Sequence, residues 1–454
     1  MKKHLLAIII TLIGIALNAQ VSVWDGSYEP YDTIHAGTED DPILIENAAQ
    51  LAYMSQLIYC SQDPKYYKLT TDIDIDHKPW CPIGNNGTSC PEFNGYFDGD
   101  NHTIYNPEFA LFFDIDIGYI KNLTTRGSVV YFDTNFSSFG LIALRATLIE
   151  NCHNYCDMIM DLRASSIVGG IAGRCRSIVN CSNHGTITIN ADYLNFCFAG
   201  GISGQASFLE ECYNTGDINI EISNSNNCKI GGVSGIIFNE FSNSYNIGNI
   251  IVNCENAYAG GIAGDITDNY HVPSHDVYMS SCYNSGIINA TNISGIIAYA
   301  DYENVTTYVN NCYYINTIES INDYGIPKSE SEMKTQEFVD VLNDGGDVYA
   351  MDLLHANGGF PIFSRYTGIG ENESMENITV YPNPANDHIQ IILSDDFSLQ
   401  SVEIYTIDGR LVVETFPETS YQTTIDISGL HSGMYIMKLR MADGKEFSEK
   451  IVKE

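Results

Sequence analysis

The chain has 454 residues, enough for about three domains, with 21 Lys+Arg against 57 Asp+Glu and a formal charge of −36. A nucleic-acid partner is excluded by that charge, because phosphate recognition needs a basic patch. Charged residues are only 17% and hydrophobic ones 44%, so the chain is not disordered throughout. Abundant Gly, Tyr and Asn with few helix formers point to β structure with many turns rather than a helical bundle.

Residues 1–19 read as a signal peptide: Lys2 and Lys3, the apolar run Leu5 to Leu17, then a cut after Ala19. Leu17 departs from the small residue usual three places before the cut. No later apolar stretch reaches the ~18 residues that span a bilayer, so no transmembrane anchor is expected. Residues 20–41 form a lead-in, and 42–138 an N-terminal cap with the first coils. Within it, Asn47 to Ile58 reads as a short amphipathic helix capped by Asn47, placed to cover unpaired strand edges. Asp72, Asp74 and Asp76 alternate, which puts three carboxylates on one face of a strand. Hard oxygen ligands of that kind suit calcium, the one cofactor the sequence suggests. The plainer alternative is a solvated face whose carboxylates bond the adjacent turn. Asp98, Asp100 and Asn101 read as turn chemistry.

Export implies an oxidising compartment, and the 13 cysteines must be read for it. Cys81 and Cys90 bracket a Pro/Gly-rich loop and are the best disulfide candidates. Most of the others fall at repeat positions, where a small buried hydrophobe is the expected role.

Residues 139–320 are a repeat array. Gly-Gly-Ile-Ala-Gly occurs at 169–173 and 260–264, Gly-Gly-Ile-Ser-Gly at 200–204 and Gly-Gly-Val-Ser-Gly at 231–235, with worn copies at 139–143 and 294–298. A Cys-x-Asn-x-Gly motif follows: Cys181, Asn183, Gly185; Cys212, Asn214, Gly216; Cys282, Asn284, Gly286; and Ser244, Asn246, Gly248 with Ser for Cys. Cys152 with Asn154, and Cys312, belong to the outer copies. One such unit cannot bury its apolar face alone, whereas stacked units can. About three short strands per unit fit one coil of a right-handed parallel β-helix. At ~4.8 Å per rung six rungs give about 29 Å, lengthened by caps. The Cys positions should point inward and each Asn should sit at a turn, bonded to its neighbours' backbone. Strand alternation would send Tyr213, Tyr245 and Tyr283 outward as a ladder, either a binding strip or rings stacked on each other.

Spacing singles out one corner. From the second Gly of a copy to the following Cys or Ser is 11 residues at 170→181 and 201→212, and 12 at 140→152 and 232→244. It is 21 at 261→282 and 17 at 295→312. Two consecutive coils thus carry insertions at the same place, and stacking brings them together where binding loops commonly sit. The insertions supply Asp268, Tyr270, His271, His275, Asp276, Tyr299, Asp301, Tyr302 and Glu303. Aromatic faces with carboxylates suit a sugar; His271 and His275 with Asp268 or Asp276 would suit a transition metal; a ligand-free insertion is the third alternative.

Residues 321–367 read as a C-terminal cap, with a helix from Ser329 to Asn343 opened by a Ser329/Glu332 capping box and stopped by Gly345 and Gly346. Residues 368–377 are a Gly/Glu/Ser linker. Residues 378–454 show seven short alternating strands with turns at Asp408-Gly409 and Asp443-Gly444, a small β-sandwich.

Two resemblances add to this reading. Tyr381-Pro382-Asn383-Pro384, Ile407-Asp408-Gly409-Arg410, Leu430-His431-Ser432-Gly433-Met434-Tyr435 and Lys450-Ile451-Val452-Lys453 resemble the type A C-terminal sorting domain of the type IX secretion system of Bacteroidetes. That resemblance implies passage through the outer membrane on the type IX machinery, removal of the domain near the linker, and release or surface attachment. The Gly-Gly-Ile-Ala-Gly copies, Phe93-Asn94-Gly95-Tyr96-Phe97-Asp98-Gly99 and Asn151-Cys152 with its equivalents resemble GLUG-type β-helix repeat proteins of bacterial surfaces, which implies fold more than activity.

No catalytic set is expected. Galacturonidase-type Asn-Thr-Asp and Gly-His-Gly motifs, His-Glu-x-x-His and Gly-x-Ser-x-Gly are all missing from the sequence, and its Asp-Asp pairs, Asp40-Asp41 and Asp395-Asp396, lie outside the repeat array. A lyase would need a basic residue as base, and between 140 and 312 the only Arg and Lys are Arg145, Arg163, Arg174, Arg176 and Lys229. The expectation is a secreted or surface-displayed rod that binds a host, matrix or glycan ligand; the alternative is a β-helix polysaccharide lyase or glycoside hydrolase.

Overall fold

A computed structural model describes residues 21–32, 34–57, 63–85, 92–132, 137–266, 275–300, 305–352, 357–366, 378–381, 385–393, 399–406, 411–415, 422–430, 433–441 and 446–453. The signal-peptide segment 1–19 lies outside them. The chain divides into two compact units, one of residues 1–314 with 318–325, the other of residues 315–317 with 326–454.

The first unit is a parallel β-solenoid of about eight turns. Pairing between coils is parallel and in register: Cys197 faces Cys228, and Gly200 faces Gly231, which faces Gly260. More coils exist than the Gly-Gly motif marks. Ile43–Ile45, Lys65–Leu69, Gly95–Asp98 and Gly118–Phe132 stack in turn beneath the array, without a Gly-Gly pair among them.

Three columns of conserved spacing hold the coils together. In the first, the buried thiols of Cys152, Cys181, Cys212, Cys282 and Cys312 point inward. The amide of Cys152 donates to Cys181 Sγ, that of Cys181 to Cys212 Sγ, and that of Cys212 to Ser244 Oγ, at 3.4, 3.4 and 3.1 Å. The residue before each of these has positive φ: Asn151, Asn180, Glu211, Asn243, Ser281 and Asn311. That left-handed corner, natural for Asn and costly for Glu or Ser, turns the chain inward at the same place in every coil.

The second column is an asparagine ladder. Asn154, Asn183, Asn214, Asn246 and Asn284 are fully buried. Each of the first four donates from Nδ2 to Oδ1 of the next at 2.7–2.8 Å. Each also donates to the carbonyl two residues on, at Cys156, Gly185, Gly216, Gly248 and Gly286. The neighbour's side chain, not its backbone as expected, is thus the partner across the rung. Thr125 Oγ1 opens the ladder by donating to Asn154 Oδ1, and Tyr314, opposite Asn284, ends it.

The third column is glycine. A Cβ on Gly201, Gly232 or Gly261 would overlap Asn214, Asn246 or Asn284, and one on Gly216 would overlap the carbonyl of Gly185. A Cβ on Gly264 would strike the backbone of Ile230 and Lys229. The repeat motif is therefore glycine because backbones and the ladder amides approach too closely for a side chain.

The tyrosine ladder departs from the alternation argument. Tyr245 and Tyr283 are buried, stacked at 4.9 Å between centroids, and Tyr213 stacks on Tyr245 at 4.9 Å. Each sits in a two-residue strand just past the left-handed corner, too short for alternation to carry it into solvent. The stack continues through His184 to Tyr155, with the Arg126 guanidinium 4.1 Å from the Tyr155 centroid. Burial, with His153 and Arg126 nearby, pulls His184 down to about 4, so it stays a neutral member of the stack.

Helix α1 (Ala48–Met54) begins as expected, with Asn47 Oδ1 accepting from Gln50 N at 2.9 Å, and ends earlier than expected. The second unit holds the Ser329/Glu332 capping box, but the expected single helix is two, α2 (Glu330–Met333) and α3 (Gln336–Asn343). Thr335 caps the second and so interrupts the first. At the C-terminus all seven expected strands form two antiparallel sheets, one of three strands and one of four. Ile389, Ile391 and Ile425 from one and Val402, Ile404, Met437, Leu439 and Ile451 from the other share one core, which makes a β-sandwich.

Candidate functional site

The Gly-Gly corner connects two strands that lie back against each other, because the third glycine admits direct backbone contact. Side chains just before and just after the corner therefore meet. At the two coils with insertions they form a cluster. Lys229 precedes one corner, Tyr258 occupies the matching position one coil on, and Asp265 follows the corner of that second coil. Tyr299 is opposite Asp265 in the third. Lys229 Nζ lies 3.8 Å from the Tyr258 centroid and 3.6 Å from that of Tyr299, a cation held between two ring faces. Asp265 Oδ2 is 3.9 Å from the same ammonium, and both charged residues are buried. Burial pushes Lys229 below the usual lysine range, and Asp265 opposes that shift.

This cluster is the root of the insertion corner: residues 267–274 leave directly after Ile266, and 301–304 directly after Ala300. Beside it opens a cavity of about 280 Å³ lined by Tyr258, Tyr299 and Tyr324 with Ala298, Ala300 and Ile321. Asn322 at its rim is committed to structure, accepting from Ser294 Oγ and donating to the Ile297 carbonyl. What the cavity offers a ligand is aromatic surface. A larger cavity, about 550 Å³, lies in the N-terminal coils and is lined by Trp80, Cys81, Glu108, Phe109 and Tyr131. Asn85 also lines it, and residues 86–91, which follow in sequence, are outside the described residues.

Of the residues singled out from the insertions, Asp268, Tyr270, His271, Asp301, Tyr302 and Glu303 lie outside the described residues. His275 and Asp276 open strand His275–Ser280; Asp276 is exposed and accepts from the Tyr278 hydroxyl at 3.2 Å. Lys229, Tyr258, Asp265 and Tyr324 were not singled out. Aligning the copies in columns would have flagged Lys229 and Tyr258, since both fill the place two before the Gly-Gly pair.

Asp72, Asp74 and Asp76 do not share a strand face. Only Ile73 and Asp74 are strand, and Asp76 and His77 have left-handed φ. Each carboxylate has its own partner: Asp72 accepts from His102 Nδ1 and Thr103 N, Asp74 from Asp76 N and Asn106 Nδ2, and Asp76 pairs with Lys78. Among the described residues no group of three His, Cys, Asp or Glu is arranged for a metal ion. Cys81 is a thiol that donates to the Asn85 carbonyl at 3.0 Å; Cys90 lies outside the described residues.

Of the sorting motif, Tyr381 ends the first sandwich strand, Gly433 opens another, Tyr435 is buried in the core, and Lys450 lies in the last strand. Pro382, Asn383, Pro384 and Gly409 are outside the described residues.

Residues 379–454 match the secretion system C-terminal sorting domain family. A stretch of 82 residues is 30% identical to the ulvan lyase NLR42 of Nonlabens ulvanivorans; it covers 18% of this chain and spans 15% of the lyase. The sorting domain places the protein at the cell surface or in the extracellular space, delivered by the type IX secretion machinery. Among the described residues no helix is long and apolar enough to cross a membrane.

Proposed function

We propose that the solenoid is a glycan-binding rod presented at the cell surface, with its principal site at the root of the insertion corner. The observation that carries this reading is the Tyr258–Tyr299–Tyr324 cavity, lined also by Ala300, which directly precedes one of the two insertions in sequence. Ring faces stack on the apolar faces of sugars, and the buried Lys229–Asp265 pair fixes two of the rings in place. The array belongs, on this reading, with the GLUG-type repeats of Bacteroidetes surface proteins, exported first by a signal peptide ending at Ala19.

The test is a glycan array probed with the full secreted chain and with Tyr324→Ala. Tyr324 is half-buried, so its removal should leave the melting temperature unchanged. Affinity for the bound glycan should fall roughly tenfold, about 1.4 kcal/mol. Equal binding by the variant would remove the cavity from the account.

The lyase reading draws support from the match to the ulvan lyase. That stretch spans 15% of the lyase, so it carries the lyase's activity to this chain only as the second reading. Depolymerisation of a bound glycan during the same assay would favour the enzyme.

A further inference from the structure

The column that contains Asp265 and Tyr299 continues down the rod. Opposite Asp265 is Ile236, then Gln205, Arg174, Arg145 and Asp114, each in register with the next. Arg174 and Arg145 are thus side by side, one rung or ~4.8 Å apart at the backbone. Arg176, two residues along the same strand, points to the same face as Arg174. The three arginines, with Thr147, Gln205 and Ser207, line a groove of about 320 Å³.

These are three of the five cations between residues 140 and 312 in a chain of formal charge −36. Like charges directly opposite on neighbouring strands destabilise a sheet, so the pairing is costly as it stands. Among the described residues, Arg145 alone of the three has an ion pair, with Asp114 Oδ2 at 2.6 Å. Arg174 Nε is buried and has no hydrogen-bond partner among the described residues. Burial and the neighbouring Arg145 both work against the Arg174 charge. Burial lifts Asp114 above the ordinary carboxylate range, with Arg145 opposing and Glu92 and Asp116 adding to the rise.

We infer that this groove is an oxyanion subsite, in which Arg174 and Arg145 clasp a sulfate or carboxylate group of an anionic glycan and Arg176 adds a third contact. A guanidinium presents paired donors that match the spacing of such oxygens. The group satisfies the buried Nε and relieves the repulsion between the two arginines. Asp114 holds Arg145 in place and competes for it. The inference rests on the glycan reading and adds the charge of the ligand: its acidic groups lie at the arginine end of the face and its sugar faces at the tyrosine end, about 19 Å from Arg174 to Tyr299 at ~4.8 Å per rung.

The test uses the full secreted chain against dextran sulfate, polygalacturonate and neutral dextran, by calorimetry at low and moderate salt. Dextran sulfate or polygalacturonate should bind, and the stronger of the two identifies the group; neutral dextran should not. Arg174→Ala should weaken binding roughly tenfold. Asp114→Asn, which releases Arg145, should tighten it about threefold, while Asp192→Asn, an exposed neutralisation elsewhere, should change nothing. The gain from Asp114→Asn keeps the test decisive even where an arginine variant folds badly. Equal binding of dextran and dextran sulfate, or indifference to both Arg174→Ala and Asp114→Asn, would overturn the subsite. Tyr324→Ala on a neutral glycan addresses the cavity separately, so either site can fail while the other stands.

Discussion

Cells producing the chain without residues 381–454 are expected to retain it inside the envelope, with the secreted fraction falling to background. The sorting sandwich, at residues 379–454, matches an export family. Its core is its own: Ile389, Ile391, Val402, Ile404, Met437 and Ile451 pack together, so a truncation at Tyr381 removes six of the seven sandwich strands and no part of the solenoid. Immunoblots of culture medium, surface-shaved cells and periplasm decide the matter. Full-length levels of the truncated chain in the medium would sink the type IX route.

The second large effect is on stability. Asn214→Ala should lower the stability of the solenoid by roughly 3–5 kcal/mol, measured by urea denaturation of the full chain. Three buried groups lose a partner together: Asn183 Nδ2, Asn246 Oδ1 and the Gly216 carbonyl. Each unmet buried group costs about 1–3 kcal/mol. Asn214→Asp is expected to do no better, since a carboxylate accepts from Asn183 but has nothing to donate to Asn246 or Gly216. A loss below about 1 kcal/mol would mean that the coils relax to restore the bonds, and the ladder would then be incidental to cohesion.

The fold was legible wherever a residue type recurs for one physical reason. Cys181, Asn183 and Gly185 return at fixed spacing because the core, the ladder and the close backbone approach each admit little else. The N-terminal coils were harder to count, since their strands pair in the same way without the Gly-Gly mark. Tyr213, Tyr245 and Tyr283 were misplaced because alternation was applied to strands of two residues beyond a left-handed corner. Asp72, Asp74 and Asp76 failed for a related reason: the strand stops at Asp74.

The candidate site was half legible. Insertion lengths pointed to the corner beside which the Lys229–Asp265 pair sits, because extra residues change a count that everything else keeps constant. The residues at its root did not stand out, because Lys229, Tyr258, Asp265 and Tyr299 come from three different coils and are scattered along the chain. The same holds for Arg145 and Arg174. Read along the sequence they are isolated cations too few for a lyase; read across the coils they are neighbours. A solenoid writes its surface in columns, and a column is invisible to any window shorter than one repeat.

The asparagine ladder also has a direction. Every amide donates toward the later coil, from the Thr125 start to the Tyr314 stop. A whole additional coil, duplicated between those of Asn183 and Asn214, would find a donor below and an acceptor above, and would leave both ends untouched. A partial coil would find neither. Copy number is therefore the parameter this architecture can change at least cost, in steps of ~4.8 Å. Each step would lengthen the arginine-to-tyrosine face by one position, so the length of that face is tunable by duplication alone.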